Sequence, residues 1–148
     1  MGVVITTAGT RALGVDLGER RIGLALSDPA RIVASPLEVL RRSGDPVADR
    51  RAVVDAAREA GATVIVVGLP LSLSGKTGPA ARAALQEIEA LRAVAGDIEV
   101  VAHDERLTTV TAERALGEAR MKRDARRRVV DKVAAAVMLQ SWLERAGA

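Results

Sequence analysis

The chain has 148 residues, 49% of them apolar and 28% charged, which is the size and balance of one globular domain with an ordinary core. No cysteine and a single histidine exclude disulfides, thiolate catalysis, iron–sulfur ligation and ordinary zinc sites, and with no Phe or Tyr and one Trp there is no aromatic platform for stacking nucleic-acid bases. The net charge of +3 is unevenly placed: residues 114–132 hold eight Arg/Lys against Glu118, Asp124 and Asp131, so that segment is +5 and the rest is −2. Such a basic stripe reads either as a solvated helix face or as the grip for a phosphate-rich partner.

Residues 1–10 carry no basic residue before the short Val3–Ile5 stretch, the pattern of a loosely ordered lead-in rather than a secretory signal. Residues 11–17 then alternate, Leu13, Val15 and Leu17 against Ala12, Gly14 and Asp16, which predicts a strand. A turn at Gly18-Glu19-Arg20 leads into a second strand over Arg21–Ser27, hairpinned onto the first, and a third is expected over Val33–Leu40 after Asp28-Pro29. Asp45 as cap and Pro46 as first residue predict a helix over 46–60, closed by Gly61. The β-branched run Thr63–Val67 has the composition of a strand covered on both faces. A loop rich in Gly, Pro and Ser leads to a helix over about 79–95, a fifth strand over Asp97–Ala102, and two closing helices over about 109–119 and 126–145. In the last helix the stripe Val130, Val133, Ala134, Val137, Met138, Ser141 and Trp142 is expected to face the core. These elements describe one α/β domain over residues 11–146, three layers deep, with a five-stranded mixed sheet and helices on both faces. No apolar run is long enough to cross a bilayer, which points to a soluble, cytoplasmic protein.

Chemistry concentrates at three acids. Asp16 stands inside a strand between Gly14 and Gly18, where a carboxylate gains nothing from packing and glycines leave room for a ligand. Asp104-Glu105 stands at the end of the fifth strand, where open α/β sheets bind ligands; the pair reads either as part of such a site or as a helix-entry acid pair. Alternation allows only one of the two to meet Asp16. Asp131, in the first turns of the last helix, shares a stripe with Ala135, Met138, Leu139 and Trp142; it either balances the helix dipole or faces a ligand. Brought together, such carboxylates would resist ionising unless divalent cations sat among them, and hard oxygen donors suit Mg²⁺ or Mn²⁺. Acids beside a basic flank read as metal-dependent phosphodiester hydrolysis. Gly75-Lys76-Thr77 is no Walker A loop, because six residues separate Gly68 from Gly75. His103 reads as a packed or hydrogen-bonded side chain, and Trp142 as core.

Four blocks carry a resemblance: Leu13-Gly-Val-Asp-Leu-Gly-Glu-Arg-Arg-Ile-Gly-Leu-Ala-Leu-Ser-Asp28, Val67-Gly-Leu-Pro-Leu71, Asp104-Glu-Arg-Leu-Thr-Thr109 and the run from Val130 to Leu143. In this order they resemble the YqgF/RuvX family, described as pre-16S rRNA nucleases and formerly as Holliday junction resolvases. The resemblance implies an RNase H-like fold, a Mg²⁺- or Mn²⁺-dependent nuclease, and Asp16, Glu105 and Asp131 as its catalytic, metal-holding acids. It also implies a role in maturing the 5′ end of 16S rRNA. Candidate contacts to the nucleic-acid backbone are Arg20, Arg21, Lys76, Arg106, Lys122, Arg123, Arg126 and Arg127. The expected partner is RNA, pre-16S rRNA first and structured DNA second, bound by a monomer or homodimer with no membrane involvement. The rival readings are a junction resolvase and a non-catalytic rRNA-binding assembly factor; 148 residues are too few for the two lobes of a sugar-kinase-like phosphotransferase.

Overall fold

Alternation in the first forty residues builds an antiparallel meander. The computed structural model describes residues 10–70, 77–104 and 123–146, with side chains of the last stretch described from residue 133 onward. Strands β1 (Arg11–Leu17) and β2 (Arg21–Ser27) have the predicted bounds, and β3 (Ala34–Arg41) begins and ends one residue later than expected. Asp28 sets that offset: its Oδ1 accepts from the backbone N–H of Ile32 at 2.7 Å and of Val33 at 2.9 Å, holding both in the turn. These two donors hold the Asp28 carboxyl below the usual carboxylate range.

Helix α1 (Pro46–Glu59) is capped by Asp45, whose side chain accepts from Val47 N, and Gly61 at φ +75° turns the chain out of it. Strand β4 (Ala62–Leu69) runs parallel to β1, helix α2 (Pro79–Val94) returns the chain, and β5 (Glu99–Asp104) lies parallel to β4. The fifth strand sits two residues later than its composition suggested. Asp97 and Ile98 belong to the turn, where Ile98 N–H donates to the Ala95 carbonyl, and pairing of Gly68 with His103 and Leu69 with Asp104 carries the strand onward. The last helix, α3 (Arg123–Ala146), reaches at least three residues further toward the N-terminus than expected. The helix expected over 109–119 lies outside the described residues, as does the lead-in up to residue 9.

Sheet order is β3-β2-β1-β4-β5, with the first two pairings antiparallel and the last two parallel. Leu13, Val15, Ile22, Leu24, Ile65 and Val67 pack on one face against Val53, Val54, Ile88 and Leu91 of α1 and α2. Ala12, Ala25, Val64 and Val66 pack on the other against Ala135, Met138, Leu139 and Leu143 of α3. The three layers and the mixed sheet are those expected, and of the two stripes expected on α3 the buried line keeps to the one that Asp131 shares. It follows Ala135, Met138, Leu139 and Leu143, while Val133, Ala134, Val137 and Ser141 are only half-buried. Trp142 is likewise at the margin of the core, with the Arg31 guanidinium 5.8 Å above its ring. Among the described residues no helix is long and apolar enough to cross a membrane.

One contact fixes where α3 lies. A Cβ on Gly14 would stand 2.8 Å from Leu139 Cβ and 3.2 Å from the Ala135 carbonyl oxygen, so the helix rests on bare backbone of the central strand. Gln140 ties its other side to β3, accepting from Ala34 N–H at 2.8 Å and donating to the Ile32 carbonyl at 2.9 Å. Gly14→Ala should therefore lift the helix and cost about 1–3 kcal/mol through overpacking. Thermal unfolding should show a fall of roughly 3–10 °C, and an unchanged melting temperature would mean that the helix does not bear on Gly14.

Candidate active site

Asp16 is the second-last residue of β1 and lies on the α3 face, two residues beyond Gly14. Its neighbours on that face are glycines: Gly14 along the strand, Gly23 opposite on β2 and, continuing the Val15–Val67 register by one residue, Gly68 on β4. No side chain from these positions rises beside the carboxylate. Among the described residues the ion pairs are Arg50–Glu87 and Arg92–Glu89, and no described side chain hydrogen-bonds to Asp16. A half-buried carboxylate with no partner among the described residues is a candidate for a ligand that completes its shell.

The turn after Asp16 is fixed by backbone. Gly18 N–H donates to the Arg21 carbonyl at 2.9 Å, and Arg42 Nε donates to the Gly18 carbonyl at 2.7 Å. Across the sheet the same row ends at His103, paired with Gly68. His103 is 8% exposed, and its Nε2 is 3.0 Å from Ser141 Oγ on α3. Burial and then the Arg145 charge push its pKa below the ordinary value, with Asp104 opposing, so the imidazole is neutral near pH 7. It is the packed, hydrogen-bonded histidine expected.

Asp104 alternates with His103 and shares the parity of Val100, which packs in the α1/α2 core, so it lies on the face opposite Asp16. Glu105 falls outside the described residues. Asp131 lies in α3 one turn before Ala135, on the line that rests on Gly14; its side chain is not among those described. Its place differs from the expected one. It stands at least eight residues into the helix, beyond the first turn in which the helix dipole acts, so dipole balance is removed as its explanation. Among the described residues no three His, Asp or Glu gather as a metal site, two of the three expected acids having no described side chain.

A family model described as RuvX, Holliday junction resolvase, matches residues 10–145. The chain belongs to the RuvX family. Relatives from Roseiflexus sp. (strain RS-1) and Desulforudis audaxviator (strain MP104C) are each 43% identical, covering 90% of this chain and 94% and 93% of their own lengths. A third from Mycobacterium sp. (strain KMS) is 42% identical over 90% of this chain and 79% of its own length. All three bear the name "Putative pre-16S rRNA nuclease". In fold this RuvX-family chain is similar to Thermus thermophilus RuvC solved with a Holliday junction substrate, with a TM-score of 0.56 at 16% identity, covering 93% of this chain and 96% of that one. The likeness shows the RNase H-like fold.

Of the expected backbone contacts, Arg20 and Arg21 stand at the β1–β2 turn, at the carboxyl end of β1. Lys76, Arg106 and Lys122 lie outside the described residues, and Arg123, Arg126 and Arg127 are placed in α3 by backbone alone. Sequence reasoning missed Arg41 and Arg42, which line the same groove as Arg20 and Arg21. Two arginines closing a strand before Ser43-Gly44-Asp45-Pro46 were a visible signal, but only strand register brings them beside the first turn.

The His103–Ser141 bond yields a stability test. Ser141→Ala strips a buried ring nitrogen of its partner and should cost about 1–3 kcal/mol, read as a lower midpoint in urea unfolding at pH 7. An unchanged midpoint would show that the bond contributes nothing.

Proposed function

We propose that this chain is a metal-dependent nuclease that hydrolyses phosphodiester bonds of nucleic acid, with the 5′ end of pre-16S rRNA as its substrate. The observation that carries the reading is Asp16, an acid at the end of the central strand with glycines around it and no described protein partner. That environment fits a cation better than a structural role. Asp16, Glu105 and Asp131 would hold one or two Mg²⁺ or Mn²⁺ ions. Asp104 is set aside because it faces the other side of the sheet, and Asp131 is retained because its line on α3 rests on the strand that carries Asp16. When bound, such ions activate a water and steady the leaving oxygen.

The chain's own residues supply the rest. Gly14, Gly23 and Gly68 leave space over the Asp16 carboxylate for a phosphate to approach. Arg20, Arg21, Lys76, Arg106, Lys122, Arg123, Arg126 and Arg127 supply positive charge for the backbone on either side of the cleaved bond. With one Trp and no Phe or Tyr, the grip rests on phosphates and helix shape. The names of the relatives support RNA as substrate; a cytoplasmic monomer or homodimer completes the proposal. The family description supports a second reading, resolution of four-way DNA junctions, which needs a dimer matched to the junction.

The test uses the purified protein with manganese, a precursor fragment spanning the 5′ end of 16S rRNA, and a four-way DNA junction. Wild type should cleave the RNA, and Asp16→Asn should lose more than about 100-fold in rate, beyond the cost of removing a group that merely supports a ligand. The variant should still bind RNA, with affinity falling steeply between low and moderate salt. Cleavage of the junction alone would move the assignment to the resolvase. RNA binding without cleavage by wild type would make the protein an assembly factor, and an unchanged rate in Asp16→Asn would remove Asp16 from the chemistry.

A further inference from the structure

Arg21 and Arg41 are direct cross-strand partners in the β2–β3 ladder, so their side chains leave the sheet on the same face. Like charges directly opposite each other destabilise a sheet. Neither guanidinium has a hydrogen bond or ion pair among the described residues, and Arg41 is exposed. The nearby acids do little to balance them. Asp49 is occupied by Ser43, whose hydroxyl donates to it at 2.7 Å and whose N–H donates at 3.0 Å, and Glu19 is exposed in the turn.

Register fixes where this pair stands. Asp16 pairs with Gly23, and Gly23 pairs with Val39; two residues nearer the sheet edge, on the same face, the ladder reaches Arg21 and Arg41. Strand geometry puts their Cα atoms roughly 8 and 12 Å from that of Asp16, a few steps of a strand that rises about 3.4 Å per nucleotide. Arg20 and Arg42 complete a groove of about 510 Å³ that wraps this edge, bounded on its far side by Gly44, Pro46 and Asp49. The four arginines outnumber Glu19 and Asp49 by two charges.

We infer that the Arg21–Arg41 pair, with Arg20 beside it, is a phosphate grip for the nucleic-acid backbone on one side of the bond cleaved at Asp16. The inference rests on the nuclease reading for its position relative to the cut, but not for the binding itself. A phosphodiester bridging the two guanidiniums turns a repulsive pair into a shared anion site, with Arg fitted to it by its planar fork of donors. Arg42 is a positioning residue here, because its Nε holds the Gly18 carbonyl and with it the turn that carries Arg20.

The test compares Arg41→Gln and the double variant Arg21→Gln/Arg41→Gln with wild type, all full-length. Binding of a labelled RNA hairpin without divalent ions should weaken several-fold per arginine, with the slope of log affinity against log salt falling by about one for each. In cleavage, KM should rise by a larger factor than kcat falls. Melting temperature should hold or rise, because the like-charge pair is removed. Equal affinity and equal salt slope in wild type and double variant overturn the grip, even if wild type cleaves. A marked drop in melting temperature would also overturn it, by making the pair structural. If no substrate is cleaved but the slopes fall as stated, the grip stands and the nuclease reading fails.

Discussion

The missing side chain at Gly14 is the constraint on which the arrangement depends. Because nothing rises from β1 there, Leu139 and the Ala135 carbonyl approach the backbone of the central strand, and α3 settles across it. Asp16 is two residues further on the same face, and Asp131 is one turn further on the same line of the helix. A larger residue at position 14 would displace the helix from the strand whose last turn carries the carboxylate. Glycines on β2 and β4 beside Asp16 extend the same logic sideways, keeping a floor with no side chain to neutralise or cover the acid. Packing economy and ligand access are thus one feature of the sequence.

Charge follows the same geometry. The antiparallel wing made by β2 and β3 brings its arginines to the carboxyl end of β1, while the parallel strands β4 and β5 end at that edge from the other side. The basic run before Asp131 enters along α3. Negative charge at the centre and positive charge around it is the pattern that suits a polyanion whose backbone must be held while one phosphate is brought to a metal. Phe and Tyr supply no base stacking, and the single Trp142 lies at the margin of the core beneath Arg31.

Much of this was legible from residue order, for identifiable reasons. Clean alternation in β1 and β2 placed both strands with correct bounds, and the face carrying Ala12, Gly14 and Asp16 is the α3 face. The cap at Asp45 and the proline after it placed α1. Errors fell where neighbours, not composition, decide. β5 runs on through His103 and Asp104, polar residues that look like a loop, because β4 supplies backbone partners to the end. In α3 the broad stripe of Val and Ala is only half-buried, and the narrower line shared with Asp131 is the one that packs, set by the contact with Gly14. The pairing of Arg21 with Arg41 is a register fact joining residues twenty apart, and no local pattern encodes it. Of the three acids, Asp16 can be judged by its surroundings and Asp131 by its helical position, while Glu105 rests on the family resemblance.

The central claim is that three acids far apart in the chain share bound dications. Crystals of the protein soaked in manganese, measured just above the manganese absorption edge, test it most directly. The account predicts anomalous density enclosed by Asp16, Glu105 and Asp131 and lost in Asp16→Asn. No such density at saturating manganese, or peaks held by other residues while these carboxylates point apart, would contradict it.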